Sequence, residues 1–235
     1  PRSTLFPYTT LFRSGDEGLR HTLAARYGFP ADRIIIISGA QQGLDITAKA
    51  LELTGEEMLF EEPTYPGALA LFKPRHFMPL RDHGPDPDKL HLYCNETIRL
   101  MYTMPFIQSP TGIEYSSDVK KRIAAYIREK DMYIIEDDYL SDFLPSHQVR
   151  FADILPEKTI FIKSLSKITA PGLHIGFMVV PDHLYDRFID VKYLTDIASA
   201  PFIQMLSRTF LNHPDFHSYL HTILTTAHER RTRLE

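Results

Sequence analysis

From Gly15 onward, short β-branched apolar runs alternate with segments of helical periodicity, and few folds satisfy such an alternation. In residues 17–27, Leu19, Leu23 and Tyr27 recur at a spacing of four, which predicts a helix. Residues 33–37, almost all isoleucine, predict a short buried strand, followed by a helix through residue 53. Further strands are expected over 57–61, 100–104, 131–135, 159–163 and 174–180. Helices are expected over 66–73 and after Ser116 or Ser117, where a hydroxyl can cap a core face of Val119, Ile123 and Ile127. Residues 81–88, rich in Pro, Gly and Asp, read as a loop. From Pro181 the pattern is helical, broken near Ala200-Pro201 and His213-Pro214. Strands alternating with helices imply an α/β domain with a largely parallel sheet. In such a sheet ligands bind beyond the carboxyl ends of the strands.

Composition removes several classes. The net charge of −4 over 235 residues gives no basic field for nucleic acid. A single cysteine, Cys94, excludes an internal disulfide framework and a Cys-based zinc site, and is compatible with a cytoplasmic home. The 11 histidines show no metal spacing, and no apolar run is long enough to span a bilayer. Residues 1–14 share no periodicity with the rest of the chain, so they read as a non-native leader. The other end stops inside a continuing helical pattern, and the chain reads as a fragment.

Polar motifs fall where the predicted strands end. Ser164-Leu165-Ser166-Lys167 is a Ser-rich turn between two apolar runs. A lysine buried there would have a lowered pKa and an amine free to attack a carbonyl as a Schiff-base former. Ser38-Gly39-Ala40-Gln41 follows a strand and opens a helix. It can serve as a simple helix cap or as a phosphate cradle of backbone amides that glycine lets a ligand approach closely. Tyr65, between two nearby prolines, could pack on the core or offer its ring face to a planar ligand. Asp137 and Asp138 end a strand beside Tyr139. They could be solvated, could hold a metal together with Glu136 and Asp142, or could pair with a cationic ring nitrogen.

The order of these motifs resembles the large domain of fold type I pyridoxal-phosphate (PLP) proteins, the aspartate-aminotransferase superfamily. Residues 136–143, Gln108-Ser109-Pro110-Thr111-Gly112 and the Lys167 turn are most similar to the aminotransferase-like domain of MocR-type regulators, which join a GntR-type winged helix to such a domain. The resemblance implies a three-layer αβα large domain over 15–212, with 213–235 leading into a small domain that is mostly missing. It implies PLP on Lys167, Asp137 paired with the pyridine nitrogen and Tyr139 on the ring oxygen, these three being the catalytic set. Tyr65 would stack on the ring. Gly39, Ala40 and Gln41, with Ser164, would hold the phosphate. Ser109 stands where many relatives carry an Asn that touches the ring oxygen. His174 stands where an arginine commonly grips the phosphate, which implies weaker and more pH-dependent cofactor binding.

The activity implied is transfer of an amino group between an amino acid and a 2-oxo acid by a cytoplasmic homodimer. The alternative is a PLP-dependent effector sensor of the MocR/GntR type, with little turnover and with DNA contacted only through a winged helix outside this chain. Neither reading involves a metal or a membrane.

Overall fold

The computed structural model describes residues 13–144 and 148–232. Helix α1 (Glu17–Tyr27) starts where the Asp16 carboxylate accepts the Leu19 amide at 2.7 Å and ends at Gly28, whose φ of 77° closes the last turn. Next come β1 (Ile34–Ile37), α2 (Ala40–Leu51), β2 (Met58–Glu62), α3 (Pro66–Phe72), β3 (His76–Arg81) and the two-residue β4 (Gly84–Pro85). A short α4 (Leu90–Tyr93) precedes β5 (Leu100–Thr103) and α5 (Ser117–Glu129), and the Ser116 hydroxyl caps α5 at the Val119 amide. The remaining elements are β6 (Tyr133–Asp138), α6 (Phe151–Ile154), β7 (Thr159–Ser164), β8 (Gly176–Val179), α7 (Tyr185–Asp196), α8 (Pro201–Leu211) and α9 (Phe216–Thr232). No helix among the described residues is long and apolar enough to cross a membrane.

The strands form one sheet in the order β1-β8-β7-β6-β5-β2-β3-β4. Pairing is parallel from β3 through β2, β5 and β6 to β7, whereas β8 runs antiparallel to both β7 and β1. The sheet is therefore mixed, although among the described strands only β8 opposes the common direction, apart from the β3–β4 hairpin. Gly176 lets β8 close on β7, since a Cβ there would lie 2.5 Å from the Lys163 carbonyl oxygen.

Side-chain alternation makes the three layers. In β1, Ile35 and Ile37 enter one core with Leu44 and Ile46 of α2 and Phe188 of α7. Ile34 and Ile36 face the other way, into a cluster with Leu19 and Leu23 of α1 and Leu211 of α8. Farther along the sheet, Met101 and Ile134 pack on Ile123 and Ile127 of α5. Each fully buried aliphatic side chain contributes roughly 1.5–3 kcal/mol, so a strand apolar on both faces is stable only when covered on both.

Several expectations shift. Strand β3 escaped the sequence reading because His76 and Pro79 interrupt its apolar pattern near the sheet edge. The hairpin partner β4 lies within the expected 81–88 loop. Strand β6 runs on through Asp138 instead of stopping at Ile135, so its acidic residues are strand residues and are buried. Strand β8 starts at Gly176, and His174 sits before it with a φ of 43°. Most of the expected leader, residues 1–12, lies outside the described residues. Ser14 accepts the Ile36 amide at 2.8 Å and Arg13 reaches Asp190 at 2.9 Å.

The β6–β7 register places Asp138 opposite Lys163. The Lys163 ammonium is fully buried, 3.0 Å from Asp138 and 2.8 Å from Asp142. Burial alone would lower its pKa, but the two carboxylates outweigh that and hold it above the ordinary lysine value. Lys163→Ala leaves both carboxylates buried without their cation and should cost about 3–5 kcal/mol, read as a lower urea midpoint.

Candidate functional site

The carboxyl ends of β6 and β7, the β1–α2 junction and the β7–β8 turn surround one open cavity of about 370 Å³. Gly39, Ala40, Gln41, Tyr65, Ser109, Asp137, Tyr139, Ser164, Lys167 and His174 all line it, as do Ser38, Met104 and Ser166. Every expected site residue thus borders a single space, although they span 135 positions of sequence between Gly39 and His174.

At one end, α2 presents its first backbone amides. Its N-cap is Gly39, with φ 83° and ψ 166° and no side chain to satisfy them. That backbone region is essentially restricted to glycine. The free amides and the positive end of the helix dipole favour an anion. Ser164 and Ser166 adjoin, and the Ser166 amide donates to the Ser164 hydroxyl at 3.4 Å.

At the other end stands Asp137, only 2% exposed. Tyr102 donates its hydroxyl to Asp137 Oδ2 at 2.8 Å, and Oδ1 has no hydrogen-bond partner among the described residues. Burial pushes this carboxyl up to about 7, against the lowering effect of the Tyr102 bond, and the nearby Asp138 raises it further. A buried carboxylate with one oxygen left without a partner, on a residue that lines the cavity, is poised for a cationic donor. Between the ends lie Tyr139 and Tyr65. Burial also raises the Tyr139 phenol, whose hydroxyl hydrogen-bonds Ser109. Tyr65 meets Gln41 Oε1 at 3.4 Å, and Gln41 Nε2 reaches the Gly67 carbonyl at 3.5 Å, which ties the aromatic wall to the amide end. The set suits a planar aromatic cation with an anionic tail and a carbonyl within reach of an amine.

Two sequence expectations change. Lys167 is exposed rather than buried: its neighbours Leu165 and Ile168 are the residues that enter the core, and the lysine between them faces the open cavity rim. The three acids of β6 are neither solvated nor a metal cluster. Glu136 accepts the Phe151 and Ala152 amides at 2.8 and 2.9 Å, Asp138 pairs with Lys163, and Asp137 alone borders the cavity.

The sequence reading gave Glu61 and Gln108 no role in the site, yet they brace it. Glu61, fully buried, accepts the Met104 amide at 2.8 Å, Gln108 Nε2 at 3.0 Å and the Tyr115 hydroxyl. Burial pushes it up to about 7 despite these bonds. Gln108 also donates to the Pro63 carbonyl and accepts from Thr111, so one acid ties the Ser109 turn to the loop bearing Tyr65. The only available signal was a charged residue inside a strand pattern.

Asp137 carries a pH signature. Its folded-state pKa lies above the unfolded value near 4, so the stability linked to it is complete at acid pH and is lost as pH rises from about 4 through 7. Asp137→Asn removes that titration. Without ligand, the variant should gain about 1–3 kcal/mol over the parent at pH 8 and little near pH 4, measured by thermal unfolding at the two pH values.

The geometry has parallels in known proteins. A family model described as aminotransferase class I and II matches residues 9–235. A 2-aminoadipate transaminase of Thermus thermophilus is 29% identical, the match covering 84% of this chain and 52% of the relative. An uncharacterized HTH-type transcriptional regulator of Bacillus subtilis, YcxD, is 30% identical over 92% of this chain and 51% of its own length. This chain therefore spans about half the length of the curated relatives it matches. The crystal structure of a Pyrococcus horikoshii kynurenine aminotransferase in complex with PMP superposes with a TM-score of 0.85 at 27% identity, covering 94% of this chain and 59% of that one. On its sequence, its three-layer sheet and the residues gathered at the strand ends, this chain belongs to the aminotransferase class I and II family.

Proposed function

We propose that these residues form the PLP-binding large domain of an aminotransferase, which moves an amino group between an amino acid and a 2-oxo acid. The observation that carries this reading is the pairing of two unmet demands across one cavity. The first amides of α2 have no side-chain cap, and Asp137 Oδ1 has no hydrogen-bond partner among the described residues, and both belong to residues that line the cavity. PLP meets both, with a phosphate at one end and a protonated ring nitrogen at the other. When bound, it supplies the electron sink that lets a substrate Cα–H bond break.

The protein's own groups do the rest. Asp137, ionised opposite a ring cation, would keep that nitrogen protonated. Tyr139 would donate to the ring hydroxyl oxygen, and Tyr65 would cover a ring face. The amides of Gly39, Ala40 and Gln41 and the Ser164 hydroxyl would hold the phosphate, with the His174 imidazole lining the same cavity. Lys167 Nζ would hold the cofactor by its carbonyl carbon and, once released, would take the proton from the substrate Cα. The amine's exposure leaves it accessible to substrate.

Residues 15–212 are read as the large domain and 213–235 as the start of the passage to a small one. We read the whole protein as a cytoplasmic homodimer, in which a subunit contact would cover exposed apolar side chains such as Leu194 on α7, Ile197 just after it, and Phe202 and Met205 on α8. A second reading is favoured by the Bacillus subtilis relative: a PLP-dependent effector-sensing domain of the MocR/GntR type, with DNA contacted through a separate winged helix and little turnover.

Borohydride reduction of the PLP-loaded protein should add the cofactor mass to the peptide bearing Lys167. Lys167→Ala should lose that addition while keeping at least part of the affinity. Amino acids that convert the bound cofactor to its amine form support the enzyme, and binding with spectral change but no conversion supports the sensor. His174→Arg should tighten PLP several-fold, because a guanidinium can grip a phosphate bidentately and an imidazole cannot. Equilibrium titration checks this.

A further inference from the structure

Helix α2 has no side chain at its N-cap to fix its first turn. The third helical residue does this instead, from inside. Gln42 folds back so that its Oε1 accepts the Ser38 amide at 2.7 Å, one residue before the cap. Its other end, Nε2, donates to Asp196 Oδ2 at 2.9 Å, from the far end of α7. Asp196 is held in turn by Lys192, whose fully buried ammonium lies 2.9 Å from Oδ1, and by the Ser199 hydroxyl at 3.3 Å.

This arrangement fixes more than a distance. A carboxamide has one accepting and one donating end. A carboxylate at one end allows only the NH₂ group to face it, so the oxygen must face Ser38. Asp196 therefore decides which way Gln42 points, and Gln42 decides how the Ser38–Gly39 peptide enters the helix. That peptide sets the aim of the Ala40 and Gln41 amides bordering the cavity. Lys192 also neutralises Asp196, so the brace places no unbalanced negative charge behind an anion subsite.

We propose that Gln42 and Asp196 are positioning residues for the phosphate of the cofactor: Asp196 orients Gln42, and Gln42 clamps the strand-to-helix turn whose amides receive the anion. The inference rests on the functional reading above, since it assigns a brace to the subsite proposed there. Neither side chain lines the cavity, so both act through the backbone between them.

The test compares PLP with pyridoxal, which lacks only the phosphate, by equilibrium titration. Gln42→Met keeps length and volume and removes both hydrogen bonds. It should weaken PLP about five- to tenfold and leave pyridoxal within about twofold, because one or two hydrogen bonds act only on the phosphate end. Asp196→Ala should give a phosphate-selective loss of the same kind, and the double variant should lose no more than Gln42→Met alone, since Asp196 works only through Gln42. If Asp196→Ala leaves Lys192 too unbalanced to fold, Gln42→Met still decides the matter. Equal losses for the two ligands, no loss for either, or additive losses in the double variant overturn the proposal. If the parent chain, folded by circular dichroism, binds neither PLP nor pyridoxal, the functional reading falls and takes this proposal with it.

Discussion

Three consecutive carboxylates buried in one strand are the constraint around which this molecule is arranged. Glu136, Asp137 and Asp138 could not be ionised together in an apolar interior without partners. The strand pleat separates them: 136 and 138 leave one face of β6, and 137 leaves the other. On the first face, backbone amides of α6 receive Glu136, and Lys163 on the neighbouring strand receives Asp138. Burial pushes Glu136 up to about 7, against the lowering effect of those two amides. On the second face, Tyr102 satisfies one oxygen of Asp137, and the other has no hydrogen-bond partner among the described residues. The fold gives two of its acids partners and leaves one oxygen of the third, on a residue lining the cavity, without one among the described residues.

The same alternation explains why the cavity lies where it does. In β7, Lys163 points to the side of Asp138, and Ser164, one residue on, points to the cavity. In β1, Ile37 ends in the core shared with α2, and the chain then turns through Ser38 and Gly39 into the helix. Parallel strands deliver these turns to one edge, so the amide end, the acid and the lysine turn converge without any contact in sequence. The antiparallel β8 supplies the far wall: its approach through His174 requires a left-handed backbone at a residue other than glycine, a conformation held by the neighbouring turn.

Much of this was legible in the sequence because strand ends and helix starts leave local marks. Ser38-Gly39, the Gln108–Gly112 turn and the Ser164–Lys167 turn are each short and contiguous, and all of them reach the cavity or brace it. The illegible part depends on partners far apart along the chain. Glu61 is braced by residues 43 to 54 positions away, and Gln42 meets Asp196 at a separation of 154. Nothing near Glu61 in sequence distinguishes it from the exposed Glu62 beside it. Strand β3 was invisible for another reason: its stability comes from a parallel neighbour, not from its own pattern.

Two lysines four residues apart sharpen the division of labour. Lys163 is the better buried, and on burial alone it would be the one with a weakened proton affinity. Two carboxylates within 3.0 Å reverse that, hold it protonated and make it a structural cation. Lys167, outside the core and on the cavity rim, has no ion-pair partner among the described residues, so its amine is not committed to a carboxylate. The sequence suggested that burial would select the reactive amine, yet here burial selects the inert one. What distinguishes Lys167 is position. It stands on a turn anchored by Leu165 and Ile168, facing the same space as Asp137 and the uncapped helix start, where an amine can meet a carbonyl that the other two groups hold in place.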